Sequence, residues 1–380
     1  MAGIYFHIPF CKQACYYCDF HFSTSLKRKD DLLLAIGKEI TIQAPLLKGE
    51  KIETIYFGGG TPSILNKEEL QTILESTYGQ FDVSKDAEIT LEANPDDLSL
   101  SKLNDLKSIG INRLSIGVQS FREVDLKHMN RAHNADEAML CIANAKNAGF
   151  ENLSVDLIYG IPGLEMKDWE SNLNTLVNFD VDHISAYALT VEENTAYDHY
   201  IKQGIQQAPK EEEALAQFQF MLGFLKDHGF EQYEISNFAK NSNYSKHNSS
   251  YWQKKLYLGI GPSAHSYFGN KRQWNVANNA VYIKSISEGN KWFENEILSL
   301  TDQYNEYIMT SLRTVWGCNL DKIESSFGAR IKSHFLGIIP KYIEQGFVLN
   351  NNGIYTLSSQ GKFLADGIAS ELFFLEPTVQ

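Results

Sequence analysis

The sequence predicts an α/β chain: a partial (β/α)6 barrel of the TIM type, followed by a small C-terminal winged-helix-like domain. Three observations predict it. Six β-rich runs alternate with helical patterns through the first half of the chain, as parallel βαβ units do. Turn-prone and reactive residues gather just after those runs, where the strand ends of a (β/α) barrel build a site. From about Thr301 the pattern changes to helices followed by a hairpin. A doubly wound open sheet fits the same alternation and is the alternative architecture.

The strand candidates are Gly3–Ile8, Thr54–Phe57, Glu88–Glu92, Arg113–Val118, Leu153–Ile158 and His183–Leu189. Between them, helical spacing covers Asp30–Ala44, Lys67–Tyr78, Ser101–Ile109, Asp136–Ala148 and Met166–Asn178. Asn66 precedes Lys67-Glu68-Glu69, a capping residue before acidic first-turn positions. Gly110 and Gly149 supply stop signals. A long helix opens at Lys210-Glu211-Glu212-Glu213 and ends before Gly229. Tyr233–Trp274 reads as irregular and aromatic-rich. Helices at Gln303–Val315, Asn319–Phe327 and Ile331–Gly346 precede a hairpin over Phe347–Leu357, with Asn350-Asn351-Asn352-Gly353 at its tip. The expected units are 1–235 for the barrel, 236–300 as a connecting region and 301–380 as the accessory domain.

Composition bounds the function. Of 380 residues, 43% are apolar and 21% charged, as in an ordinary globular chain. No run approaches the ~18 apolar residues of a membrane span, and MAGIYFHIPFCKQAC shows no signal-peptide pattern. The expected location is the cytoplasm. The net charge of −13 excludes a general nucleic-acid binder, because phosphate binding rests on Lys and Arg density.

Cysteine usage is the unusual feature. Five cysteines are too few and too uneven for a disulfide scaffold, yet Cys11, Cys15 and Cys18 crowd into the loop after the first strand. Cys141 and Cys318 stand alone and read as small buried apolar residues. The Cys-x3-Cys-x2-Cys spacing leaves three readings open. It could be an apolar helical stripe packed with Phe10, Tyr16 and Tyr17. It could be a zinc site completed by His21. It could be an iron–sulfur cluster in which three thiolates leave one iron free. Gly58-Gly59-Gly60-Thr61-Pro62 follows the second strand; no Gly-Lys-Ser/Thr accompanies it, so a phosphate cradle is weakly supported.

Taken together, Tyr5-Phe6-His7-Ile8-Pro9-Phe10-Cys11, Cys15, Tyr17, Cys18 and Gly59-Gly60-Thr61-Pro62 resemble the radical S-adenosylmethionine (SAM) proteins, and more narrowly the oxygen-independent coproporphyrinogen oxidase group. The resemblance runs over nearly the whole chain from Tyr5. It implies a radical SAM barrel in which Cys11, Cys15 and Cys18 hold a [4Fe–4S] cluster whose fourth iron is chelated by SAM. It places Tyr5 and Tyr17 beside the cluster and brings Gly59, Gly60 and Thr61 to the methionyl amino group. It also adds Glu92, Gln119, Arg131 and Asp156 as strand-end contacts, with Arg131 suited to the SAM carboxylate.

The resemblance then divides. The decarboxylating oxidases carry a further cysteine two residues after the third ligand, where this sequence has Phe20, and a longer N-terminal extension, where it has four residues before Tyr5. Both departures point to the sister group, the HemW-type haem chaperones. That group's His-Asn-x-x-Tyr-Trp motif is matched by His247, Asn248, Tyr251 and Trp252. The resemblance implies haem as ligand and cargo, with His247 as axial ligand and His265 as second choice. It also implies haem-requiring respiratory proteins as acceptors, at the inner membrane face where those are membrane-bound, and allows a homodimer. The alternative function is oxidative decarboxylation of coproporphyrinogen III.

Overall fold

The computed structural model describes residues 1–376; the last four residues of the expected C-terminal unit, 377–380, lie outside them. The first half follows the expected alternation. Strands β1 (Ala2–Ile8), β2 (Lys51–Gly59), β3 (Asp82–Ala93), β4 (Arg113–Gln119), β5 (Asn152–Tyr159) and β6 (His183–Ala188) pair in parallel in that order. Helices α1 (Lys29–Gln43), α2 (Lys67–Gln80), α3 (Leu100–Ser108), α4 (Glu123–His128), α5 (Ala135–Asn147), α6 (Met166–Asn178), α7 (Ala196–Lys202) and α8 (Glu211–Asp227) connect or follow them. Asn66 caps α2 and Asn134 caps α5. Each accepts from the N–H three residues on, while Glu69 and Glu137 return the bond. Alternate strand residues such as Ile4, Phe6, Ile55, Phe57 and Leu91 are buried against the helices and form the main core.

The stretch expected to be irregular carries short strands and a helix. After β7 (Glu231–Gln232) come β8 (Asn237–Ala239), the helix α9 (Lys246–Trp252), β9 (Leu256–Ile260), β10 (His265–Tyr267) and β11 (Lys271–Asn275), followed by α10 (Asn279–Glu288) and β12 (Phe293–Ile297). Strand β9 pairs in parallel with β1, on the side away from β2, and β10, β11 and β12 continue antiparallel. The twelve strands run β12-β11-β10-β9-β1-β2-β3-β4-β5-β6-β8-β7, and hydrogen bonds do not close the ends into a ring. The strands were hidden because they span two to five residues and find partners across the chain, leaving little local period. Gly259 marks the crowding: a Cβ there would meet the His265 carbonyl oxygen at 2.1 Å.

One buried carboxylate ties this extension to the barrel. Glu39 on α1 is fully buried, and burial raises its pKa. It accepts hydrogen bonds from the Gly261 N–H at 2.8 Å, Asn275 Nδ2 at 2.7 Å, Trp292 Nε1 at 2.9 Å and the Tyr282 hydroxyl. Four donors from four segments converge on one side chain.

The C-terminal domain has its own apolar core, including Ile308, Phe335, Ile339 and Tyr355. It comprises α11 (Leu300–Ser311), β13 (Cys318–Asn319), α12 (Leu320–Phe327), α13 (Ala329–Glu344), β14 (Val348–Asn351), β15 (Ile354–Leu357), α14 (Ser359–Phe363) and α15 (Ala365–Glu371). The hairpin turns at Asn352 and Gly353, both at positive φ, the geometry an Asn-Gly pair supplies. Cys318 is buried in this core and Cys141 in the barrel core, as the sequence predicts. No helix among the described residues is long and apolar enough to cross a membrane.

Replacing Glu39 strands four donors in the core. At about 1–3 kcal/mol per buried unsatisfied group, Glu39→Ala is expected to lower stability by at least about 3 kcal/mol, with Glu39→Gln intermediate. Denaturant unfolding of the two variants checks this.

Candidate metal and cofactor site

Beyond β1 the chain loops across the strand ends before α1, and this loop carries the three cysteines. It is pinned at both sides. The Cys11 N–H bonds to the Ser23 carbonyl at 3.1 Å, and the Tyr16 N–H to the Met129 carbonyl at 3.1 Å. Cys11, Cys15 and Cys18 are free thiols, half-buried, and all three line one cavity of about 420 Å³ over the strand ends. Burial raises the Cys11 thiol, partly offset by a hydrogen bond from Thr61, and pushes Cys18 up to about 12. Loading of metal therefore releases protons from these thiols. His21 is not in this lining. Its Nε2 bonds to Asn279 Oδ1 at 2.7 Å and its carbonyl accepts from His7 Nε2 at 2.9 Å.

The glycine turn after β2 forms the next part of the wall. Gly59 has φ +110°, and a Cβ on Gly60 would meet the Phe10 carbonyl at 2.7 Å, so only glycine lets this turn close on the end of β1. The Gly60 N–H donates to the Ile8 carbonyl at 2.9 Å and the Thr61 N–H to the Phe10 carbonyl at 2.7 Å. The Gly59 N–H donates to Glu92 at 3.1 Å. With those three donors committed, the turn cannot cradle a phosphate. It suits a cationic amino group, with the Glu92 carboxylate beneath it.

The other strand ends converge on the same cavity. Glu92 ends β3 and accepts from the Tyr56 hydroxyl at 2.8 Å; burial pushes its carboxyl up to about 7. Asp156 on β5 faces Ser115 at 3.3 Å, and burial pushes it up to about 6. Gln119 ends β4 at φ +67°, a strained setting for a side chain with a Cβ and a frequent mark of a functional position. Arg131 spans the wall. Its Nη2 donates to Asn94 Oδ1 and to the Gly117 carbonyl, both at 2.8 Å. Its Nη1 reaches Cys15 Sγ at 3.2 Å and the Tyr17 hydroxyl at 3.3 Å. Its Nε has no partner among the described residues. Phe20, Phe22, Tyr187 and Leu189 rim the mouth, and Phe20 is 67% exposed.

Tyr5 lies below the cavity and outside its lining, its hydroxyl 3.2 Å from His7 Nδ1. The haem-motif residues are lower still. Ser245 caps α9 through the Asn248 N–H. His247 points into the barrel and is 1% exposed. Its Nδ1 bonds to Thr54 Oγ1 at 2.8 Å and its Nε2 to the Tyr251 hydroxyl at 2.7 Å, and its ring stacks on Tyr56. Burial, then the Arg113 charge, lowers its pKa to about 3, so the ring is neutral. Both nitrogens are engaged, and none is presented to an iron. Trp252 is half-buried at the end of α9 and His265 is exposed on β10. The structure thus gathers the cysteines, Tyr17, the glycine turn, Glu92, Gln119, Arg131 and Asp156 around one cavity. It sets Tyr5 and the haem motif apart from it.

Sequence reasoning missed Asn94, Ser115 and the rim residues Tyr187, Leu189, Thr190 and Glu192. Asn94 directly follows β3 and fits the strand-end pattern, whereas Ser115 lies within β4 and does not. The rim comes from a segment with no motif.

Three thiols beside a cavity, a turn with no free N–H for an anion and two carboxylates with raised pKa values fit an iron–sulfur cluster with a cationic cofactor. Fold and site together define a radical SAM protein, and the radical SAM superfamily model matches residues 5–176. The HemN C-terminal domain model matches residues 298–364. The chain is 34% identical over 371 residues to the heme chaperone HemW of Bacillus subtilis, covering 97% of this chain and 98% of that protein. It is 32% identical over 372 residues to heme chaperone HemW of Lactococcus lactis, covering 98% and 97%. The chain therefore belongs to the HemW family of radical SAM proteins. Its fold superposes on the coproporphyrinogen III oxidase HemN of Escherichia coli with a TM-score of 0.86 at 24% identity, over 98% of this chain and 90% of that one. The family implies a [4Fe–4S] cluster and SAM.

Two outcomes are expected. SAM carries positive charge, which favours the ionised form of Glu92. Below about pH 7 that carboxyl holds a proton. SAM affinity of the reconstituted protein should therefore rise with pH through 7 and be about tenfold weaker at pH 6 than at pH 8. In Glu92→Gln the midpoint should fall toward the Asp156 value of about 6. Equilibrium dialysis across pH 5.5–8.5 measures both. Separately, His247→Ala leaves Thr54 and Tyr251 unpaired in the barrel, and should cost about 2 kcal/mol of stability in denaturant unfolding.

Proposed function

We propose that this chain is a haem chaperone. It binds one haem, holds it beside the α9 segment and hands it to haem-requiring respiratory proteins. It works from the cytoplasm, reaching membrane-bound acceptors at the inner face of the membrane. Near-full-length identity to two proteins named heme chaperone HemW supports this reading. The observation that carries it against porphyrinogen decarboxylation is Phe20. The position that holds a cysteine in the oxidases is here an exposed phenyl ring at the cavity mouth, so it adds no thiol to the three already there.

When bound, the cluster and SAM supply one-electron chemistry at a sulfonium. The chain's own residues position and shield that centre. Cys11, Cys15 and Cys18 hold the cluster. Arg131 fixes the loop by donating to Cys15 and Tyr17 while anchored on Asn94 and Gly117. The Gly59-Gly60-Thr61 turn and Glu92 would receive the amino group. Gln119 and Asp156 would hold the ribose hydroxyls, and Arg131, whose Nε has no partner among the described residues, would hold the carboxylate. Phe20, Phe22, Tyr187 and Leu189 limit water at the mouth.

The test uses one anaerobically reconstituted sample. Haem titration should give one equivalent bound. Incubation with SAM, a reductant and coproporphyrinogen III should give no protoporphyrinogen. Formation of that product would favour the oxidase, and absence of haem binding would overturn the chaperone.

A further inference from the structure

A smaller cavity opens at the other end of the barrel, where the strands begin. It holds about 280 Å³, and Ala2, Glu53 and Thr54, near the starts of β1 and β2, form its floor. One face of α9 forms a wall. Lys246, Ser249 and Ser250 stand at i, i+3 and i+4, Gln253 continues the row, and all four line the cavity. His247 and Tyr251 lie on a different face of α9, bonded to each other inside the barrel. The loop 242–244 and Trp316, which precedes β13 in the C-terminal domain, complete the enclosure. Trp316 meets Tyr244 edge-on at 6.1 Å, and the Val315 N–H donates to the Tyr233 carbonyl at 3.0 Å, so the seam between the two domains fixes this wall.

The lining carries polar groups that the fold leaves unused. Ser249 is 7% exposed, and its hydroxyl has no hydrogen-bond partner among the described residues. A buried hydroxyl is costly unless something completes it. The Lys246 ammonium pairs with no carboxylate among the described residues. Lys255 stands 3.7 Å from Glu53, beyond hydrogen-bond reach. Glu88, beneath α9, is already committed to the Lys246 and His247 N–H groups. Two ammonium groups thus face one carboxylate here, in a chain whose net charge is −13. The half-buried Trp316 adds a flat apolar surface. The volume lies below the range of about 300–1,000 Å³ typical of drug-sized ligands, so a porphyrin does not fit.

We propose that this cavity binds a small organic anion with a planar ring. Lys246 and Lys255 hold its charge, the Ser249 hydroxyl donates to one of its oxygens, and Trp316 covers its ring. The ligand is distinct from haem and from SAM, and it joins α9 to the C-terminal domain.

The test uses the full chain with benzoate as probe, benzamide as its neutral counterpart and inorganic phosphate as an anion without a ring. Equilibrium dialysis reads binding, and tryptophan fluorescence reads contact with Trp316. Benzoate should bind saturably, quench the fluorescence, and bind at least about tenfold more tightly than benzamide or phosphate. Lys246→Met and Ser249→Ala should each weaken it by about threefold or more, while Lys246→Arg retains it. Trp316→Phe should abolish the quenching. Lys246 is exposed, so Lys246→Met should melt as the wild type does, which makes its loss one of binding and not of folding. Equal affinity for benzamide overturns the anionic ligand. Absence of saturable benzoate binding, or an affinity unchanged in Lys246→Met and Ser249→Ala, overturns the site.

Discussion

The Ile8 and Phe10 carbonyls accept from Gly60 and Thr61, and this clamp fixes where β1 ends. On the opposite side Gly261 passes so close that a Cβ would lie 2.5 Å from the His7 carbonyl. Glycine is needed on both flanks, because the chain runs at positive φ and in backbone contact at Gly59 and Gly261. The cysteine loop begins at that point, so its three thiols inherit their placement from the clamp. Glu39 holds the same Gly261 by its N–H and thereby couples the outer strands to the end of β1.

The barrel interior is polar, unlike the branched aliphatic layers that usually fill a (β/α) barrel. Arg113 is 1% exposed, and its Nε and Nη1 have no hydrogen-bond partner among the described residues. His247 and His183 lie in its field. Burial, then that charge, keeps both imidazoles neutral. The same cation partly offsets the burial that raises Glu92 and Asp156. The lumen's cation thus tempers the effect of burial on the carboxylates above it, while its histidines serve packing and hydrogen bonding.

Much of this was legible in the residues. The six parallel strands stand where the apolar runs and strand-end turns place them, because the covered face of each strand repeats locally. Asn66 and the stop at Gly149 set helix limits through bonds made within a few residues. The cysteine spacing and the glycine turn marked the cavity before its shape was known. Strands β9 to β12 were not legible. They are short, and β9 takes its register from β1, far away in sequence. Arg131 was marked as a polar strand-end group, but its bond to Cys15 depends on how the loop after β4 packs.

The sequence alone marked the three clustered thiols and the strand-end polar groups by residue type and spacing over a few positions, and its resemblance along nearly the whole chain indicated the class of protein. Tertiary structure decided what each histidine is free to do. The motif makes His247 look like a ligand, yet closure of α9 onto Thr54 and Glu88 buries it, and Thr54 and Tyr251 engage its two ring nitrogens. His265 carries no conspicuous motif, and on β10, between β9 and β11, it stays exposed beside Trp274. Whether a nitrogen is available depends on how α9 docks against a strand that lies far off in the sequence, which no local pattern encodes.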